Sequence, residues 1–350
     1  MTSRSLVFLA AAILLSAGIG GTAAAQSMVA ISNKQYVLPV SELATTKTYP
    51  DILRIMADAI EAQLLPNRGR LLTALKARSM KESMLYQSFV PDPFVLSSGL
   101  HAVDFGGYYL SIPWNVRDRQ PYDLTYKVLD DSAGRAQVSL YGKDILKKVS
   151  ALSVVTVLRG QPLVDVRSTV KNDTSTKTFR DPDFKENVLL STLEDQENRC
   201  RLLLPSDSVT VIDSGSNWAG DPGASVLWPG ALGQWSDLKG HYDVKAVISS
   251  ELPCFAILYP GQRVALVKAW SPADFFDSIE VMTRGPGYKQ EKGYGPFFMV
   301  TCHRSNMEIG PKAETGFRST FVVLHDVDET ITLHDMYERA RPLLEALPQD

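Results

Sequence analysis

The chain has 350 residues, 21% of them charged, with a formal net charge of −3. With no basic excess to neutralise phosphates, a nucleic-acid partner is excluded. At 45% hydrophobic residues, the length suits one large all-β domain or two ordinary ones.

The amino terminus reads as a targeting segment. Arg4 supplies a short positive region, Leu6 to Leu15 is an apolar run too short to span a bilayer, and Ala23-Ala24-Ala25 has the small-residue form of a cleavage site. Residues 1–25 are therefore expected to be a signal peptide. Residues 26–350 are expected as one exported domain, periplasmic or secreted, with no membrane span after cleavage. Cys200, Cys254 and Cys302 are odd in number and widely spaced, so they form no disulfide framework. Cys254 and Cys302 stand in strand-like apolar surroundings, which predicts buried thiols; one bridge stays open as an alternative.

In chain order, the first ambiguous stretch is 52–62. Ile52, Leu53, Met56, Ala59 and Ile60 fit one helix face, while Leu53, Ile55 and Ala57 fit a strand. From residue 64 the signals are short strands separated by turn residues. Leu64 to Leu75 reads as strand, Pro-x-x-Gly turn, strand. Gly106-Gly107 precede an apolar strand to Ile112. Pro113 ends that strand, because proline cannot donate to a ladder, and a loop rich in polar groups follows. The two glycines allow close backbone approach or positive φ.

Farther on, Ala136 to Tyr141 and Leu152 to Leu158 read as strands. Val164, Val166, Ser168 and Val170 alternate with Asp165, Arg167 and Thr169, the period of a half-buried strand. Asn172-Asp173-Thr174-Ser175-Thr176 is a turn cluster. Val188 to Leu193, Arg201 to Leu204 and Val209 to Ile212 continue the pattern. Cys254 to Leu258 and Val264 to Trp270 flank the hairpin signal Tyr259-Pro260-Gly261-Gln262. Arg284 to Gly295 is a Gly/Tyr loop, and Phe297 to His303 and Phe317 to Leu324 add two more strands. Leu333, Met336, Tyr337, Ala340, Leu343 and Leu344 predict a terminal helix, with Pro342 as a kink or break. The fold class is therefore all-β: a large two-sheet antiparallel β-sandwich with a short C-terminal helix.

Several pieces together resemble the galactose-mutarotase-like, or aldose-epimerase-like, sandwich. Leu64 to Tyr86 looks like that family's opening strands. Gly106-Gly107 to Pro113-Trp114 resembles the element that lines its sugar cleft. Val166 to Thr174 resembles its strand ending in an Asn-x-Thr turn, and Glu308-Ile309-Gly310-Pro311 to Leu324 its closing strands. Asp213 to Trp218 and Leu227 to Asp237 are similar to a Trp-rich segment of uncharacterised members. The resemblance covers roughly residues 50 to 326.

The family resemblance implies ring opening by a general-acid histidine and a general-base glutamate. Its histidines would fall after the Pro-Trp loop and after the Asn-Asp-Thr turn. Here those regions read Tyr122-Asp123-Leu124 and Asp183-Phe184-Lys185-Glu186-Asn187. The catalytic candidates left are Glu308 and, five residues earlier, His303. On a regular strand that odd offset puts them on opposite faces unless a bulge intervenes.

The ligand-binding candidates are Trp114, Arg117 and Arg119 in the polar loop, Glu186 where the missing histidine would be, and Trp218, Trp228 and Asp237 in the Trp-rich segment. Guanidiniums fork onto hydroxyls or a uronate carboxylate, and indoles suit the apolar face of a pyranose. The salt-bridge reading of the arginines, with Asp118 and Asp123, and core packing of the tryptophans stand beside these. Asp213, Asp237, Asp243 and Glu308 offer carboxylates for glycoside hydrolysis, but no spacing singles out a pair. The five histidines lack metal-ligand spacing, and Walker, dinucleotide and Gly-x-Ser-x-Gly fingerprints are absent. No metal and no cofactor are expected.

The expected function is an exported carbohydrate-binding or carbohydrate-processing protein with a saccharide in a cleft. As an enzyme it would be a sugar isomerase, lyase or glycoside hydrolase. The competing class is a non-catalytic structural or assembly protein that uses the sandwich as a scaffold.

Overall fold

A computed structural model describes residues 27–38, 45–66, 69–88, 94–95, 101–102, 105–112, 114–115, 120–121, 124–144, 147–192, 200–214, 221–228, 241–248, 250–284 and 297–348. The expected signal segment, residues 1–25, and the Gly/Tyr loop lie outside these residues, apart from Arg284 at the loop's start.

Among the described residues two large antiparallel sheets face each other, beside three two-stranded ladders. The larger has eleven strands, and its central order runs Arg70–Ala77, Tyr108–Leu110, Phe179–Ser191, Phe297–Ile309, Ser278–Arg284. The smaller has eight, with Leu163–Asn172, Glu314–His325 and Val264–Ser271 at its centre. The alternation read at Val164 to Val170 is that of a real strand: Val164, Val166, Ser168 and Val170 are all buried. One apolar cluster takes Val166, Leu266 and Phe321 from the smaller sheet and Phe184, Val188 and Val300 from the larger, so the main core lies between them. Burying each such side chain contributes ~1.5–3 kcal/mol, which is how alternating sequences select a sandwich.

The ambiguous stretch 52–62 is a hairpin, not a helix: residues 52–56 close Thr45–Met56, 57–59 turn, and 60–62 open Ile60–Leu65, with Leu53, Ile55 and Ile60 fully buried. The Pro-Gly hairpin turns through Pro260–Gln262 and leaves Arg263 at φ 51°. Gly107 has φ +72°, and a Cβ there would stand 2.2 Å from the Leu72 carbonyl oxygen, so the close approach admits only glycine.

The terminal helix is Leu333–Glu345, started by a reciprocal cap between Thr332 and Asp335. It buries Leu333, Met336 and Ala340 against the outer side of the smaller sheet, and Pro342 sits in its last turn without ending it. All three cysteines are free and buried, which closes the alternative of a bridge. Burial pushes the Cys302 thiol up to about 12. Among the described residues no helix is long and apolar enough to cross a membrane.

Candidate functional site

Alternation along Phe179–Ser191 decides what each face of the larger sheet carries. Phe184, Val188 and Leu190 point into the main core, whereas Leu189 belongs to a separate cluster with Tyr86, Tyr109 and Phe297. Asp183, Lys185 and Asn187 therefore share the outer face with Leu189. On the neighbouring Phe297–Ile309 strand, Phe298, Val300 and Cys302 face the core, leaving Thr301 and His303 outside.

His303 is the centre of this outer face. Its side chain is 6% exposed, and its Nδ1 lies 2.7 Å from Asp183 Oδ1. Its Nε2 is buried 3.3 Å from Glu280 Oε2, close enough for attraction but out of line for a hydrogen bond. Lys185 Nζ, 3.0 Å from the other oxygen of Asp183, completes the group. Burial works to raise the Asp183 pKa, but hydrogen bonds with His303 and Lys185 outweigh it and hold the carboxyl below its ordinary range. The contact with His303 does the same for Glu280. Asp183 and Lys185 stay about two-fifths exposed, so the buried imidazole has an opening to solvent on their side.

The face extends in both directions. Thr301 Oγ1 donates to Asn187 Oδ1 at 3.1 Å. Beyond Tyr108–Leu110 the Arg70 guanidinium stacks 4.0 Å over the Tyr109 ring, and both residues are buried. The segment leading to the Trp114 loop is anchored here. Ser111 N donates to Lys185 O, and Lys185 N donates to Ser111 Oγ. Lys185 stands opposite His303 in the ladder. The element expected to line a cleft therefore enters beside the imidazole. Among the described residues no group of three His, Cys, Asp or Glu side chains is placed to hold a metal ion.

The expected site residues are distributed differently from the sequence reading. Arg117, Arg119, Trp218 and Asp237 lie outside the described residues. Trp114 is described only as backbone, paired with Pro121 in a two-residue ladder.

Glu186 does not face a cleft. Flanked by Phe184 and Val188 it points between the sheets, where Lys268 Nζ, Tyr108 Oη and Ser319 Oγ all donate to its carboxylate. Trp228 is also a core residue, 3% exposed, with Nε1 donating to Leu202 O at 3.1 Å.

Glu308 and His303 do share a face, because the strand changes phase at Asn306, which has φ 52°. Met307 and Ile309 return to the core, turning Glu308 outward. At ~3.3 Å per residue the two stand roughly 16 Å apart. Glu308 is half exposed and ion-paired with Arg180 at 2.7 Å, and does not touch His303. The carboxylates beside His303 are Glu280 and Asp183, and sequence reasoning missed both. Their signal was the register between strands, Lys185 and Ser278 opposite His303, which a single chain does not display.

No protein-family model matches the chain, and no curated protein matches it by sequence. Solved structures do match. A TPR-domain containing protein from Parabacteroides distasonis superposes with a TM-score of 0.67 at 12% identity over 88% of this chain. This chain spans 57% of that protein's length. The Slr1438 protein from Synechocystis matches with a TM-score of 0.58 at 12% identity, covering 81% of this chain and 99% of its own. A protein from Klebsiella pneumoniae, provisionally described as an aldose 1-epimerase, matches with a TM-score of 0.56 at 12% identity, covering 89% and 91%. Identities this low carry the fold alone. The chain has the galactose-mutarotase-like fold, as its sequence motifs suggested.

Proposed function

We propose that this is an exported carbohydrate-binding protein that holds a saccharide on the outer face of its larger sheet and moves a proton there through His303. The observation that carries this reading is the His303 imidazole, buried on that face between Asp183 and Glu280, with Nε2 accepting and donating no hydrogen bond. A buried ring nitrogen without an aligned partner is unfavourable, and a ligand group that takes the place of the partly exposed Glu280 carboxylate beside it completes it. A sugar hydroxyl or ring oxygen is the right size and polarity to do so. Asp183 fixes the ring through Nδ1, as an orienting carboxylate does in acid–base sites. Asn187, Thr301 and Lys185 supply further polar groups, and Tyr109 an aromatic surface.

The absence of histidine at the positions the family resemblance marks is then a relocation. The imidazole stands on the adjacent strand, opposite Lys185. Export rests on the Arg4, Leu6 to Leu15 and Ala23 to Ala25 pattern, and the secreted chain should begin at or near Gln26 on N-terminal sequencing.

The functional test is a titration of the full chain with neutral aldoses and uronic acids, alongside polarimetry of anomer interconversion. Wild type should bind at least one sugar saturably and speed its interconversion, and His303→Gln should abolish the rate. Binding without any rate, unchanged in His303→Gln, would leave a scaffold or assembly role in its place.

A further inference from the structure

Away from His303, a basin of about 510 Å³ opens where the connection from the smaller to the larger sheet, residues 172–179, runs beside the hairpin residues Lys147 and Lys148. That volume is within the usual range of ligand pockets, ~300–1,000 Å³. One backbone bond and one side chain fix its walls. Asp173 N donates to Lys148 O at 3.0 Å, and Asn172 Nδ2 donates to the carbonyls of Lys177, Ile309 and Gly310.

The lining is charged against the trend of the chain. Lys147, Lys148, Lys177 and Arg180 surround one carboxylate, Asp173, in a protein whose net charge is −3. Arg180 is shared with Glu308 at the rim, so three ammonium groups dominate. Asp173 Oδ1 accepts from Ser150 Oγ at 3.3 Å; its buried Oδ2 accepts no hydrogen bond and is ion-paired with Lys143 Nζ at 3.8 Å, while Lys312 Nζ donates to the Asp173 carbonyl at 2.6 Å. Phe179 offers a half-buried ring, and residues 174–176 and 178 contribute hydroxyls.

These groups make two demands at once. The ammoniums call for an anion. The buried carboxylate oxygen, without a hydrogen bond, takes a donor, which a saccharide's hydroxyls bring beside its own carboxylate. We propose that the basin binds an acidic saccharide, its carboxylate among Lys147, Lys148 and Lys177 and one of its hydroxyls donating to Asp173 Oδ2. The site is separate from the His303 face and does not depend on that reading.

Calorimetric titration of the full chain with digalacturonate, its methyl ester and sodium phosphate tests this. The ester keeps the hydroxyls and loses the charge; phosphate keeps charge and brings no sugar. Digalacturonate should bind saturably, and the other two roughly tenfold more weakly or worse. The double variant Lys147→Ala/Lys177→Ala should lose about tenfold in digalacturonate affinity with an unchanged unfolding midpoint, while His303→Gln stays near wild type. No digalacturonate binding, equal binding of phosphate, or binding that survives removal of both lysines would overturn the proposal. Loss in His303→Gln with retention in the lysine variant would assign the ligand to the other face and also overturn it.

Discussion

Lys268 of the smaller sheet and Glu186 of the larger meet as an ion pair in the middle of the sandwich, and neither has any exposed surface. Tyr108 and Ser319 each donate to Glu186 Oε1 at 2.5 Å, and the Lys268 ammonium lies 4.8 Å from the Trp270 ring centroid. The sheets are thus joined by a polar tie as well as by apolar packing. Burial, and next the Glu186 charge, push the Tyr108 hydroxyl far above its ordinary pKa, which keeps it a donor. Removing one member of such a pair strands the other charge and typically costs ~3–5 kcal/mol. Lys268→Met should therefore destabilise the protein by about that much in urea unfolding. Adding Glu186→Gln should recover part of the loss. A double variant as unstable as the sum of the two singles would refute coupling through the pair.

Gly107 bears on the architecture more directly. Its φ of +72° and the 2.2 Å separation from the Leu72 carbonyl oxygen that any Cβ would take leave alanine no position. Gly107→Ala should lower stability by at least ~1–3 kcal/mol, the usual range for forced overpacking. Thermal unfolding checks it, and Gly160→Ala is a useful control, since its φ of +77° comes with open space. The control should fall less. Equal losses would mean that strain at φ alone, without the close approach, sets the effect.

Acid sensitivity should centre on Glu61, a 3% exposed carboxylate on the larger sheet. Burial alone would raise its pKa, but Arg54, Gln63 and Lys76 outweigh it and hold the carboxyl down at about 2, against an ordinary 4.5. A folded pKa below the unfolded one gives stability that is full above about 4.5 and lost as pH falls toward about 2. In urea unfolding, Glu61→Gln should be less stable than wild type at neutral pH, with the difference shrinking across that window. A difference that does not change with pH would contradict this assignment.

Much of the fold was legible because alternation is a local signal. Val164 to Val170, the Pro-Gly hairpin and the terminal helix all follow from neighbours in sequence. The stretch 52–62 was not, since short apolar runs fit both periods until a sheet pairs with them. The site was less legible for the same physical reason. Glu186 and Lys185 are adjacent in sequence yet face opposite sides of a sheet, and only the register decides which one meets His303. The phase change at Asn306 left only a faint trace, because asparagine adopts the left-handed region more readily than other non-glycine residues yet most asparagines do not. Glu280 and Asp183 come to His303 from two different strands, a relation that exists only after folding.

The central claim is that the outer face of the larger sheet, at His303, takes a saccharide. Its most direct test is nuclear magnetic resonance of the full chain carrying ¹⁵N-labelled histidine, titrated with the sugar panel. The protein has five histidines, so each ring can be assigned by single substitution. The account predicts that the Nε2 signal of His303 moves saturably with a bound sugar, that the other four stay fixed, and that Asp183→Asn weakens the response. A His303 signal that no sugar moves, or movement spread evenly over all five rings, would contradict it.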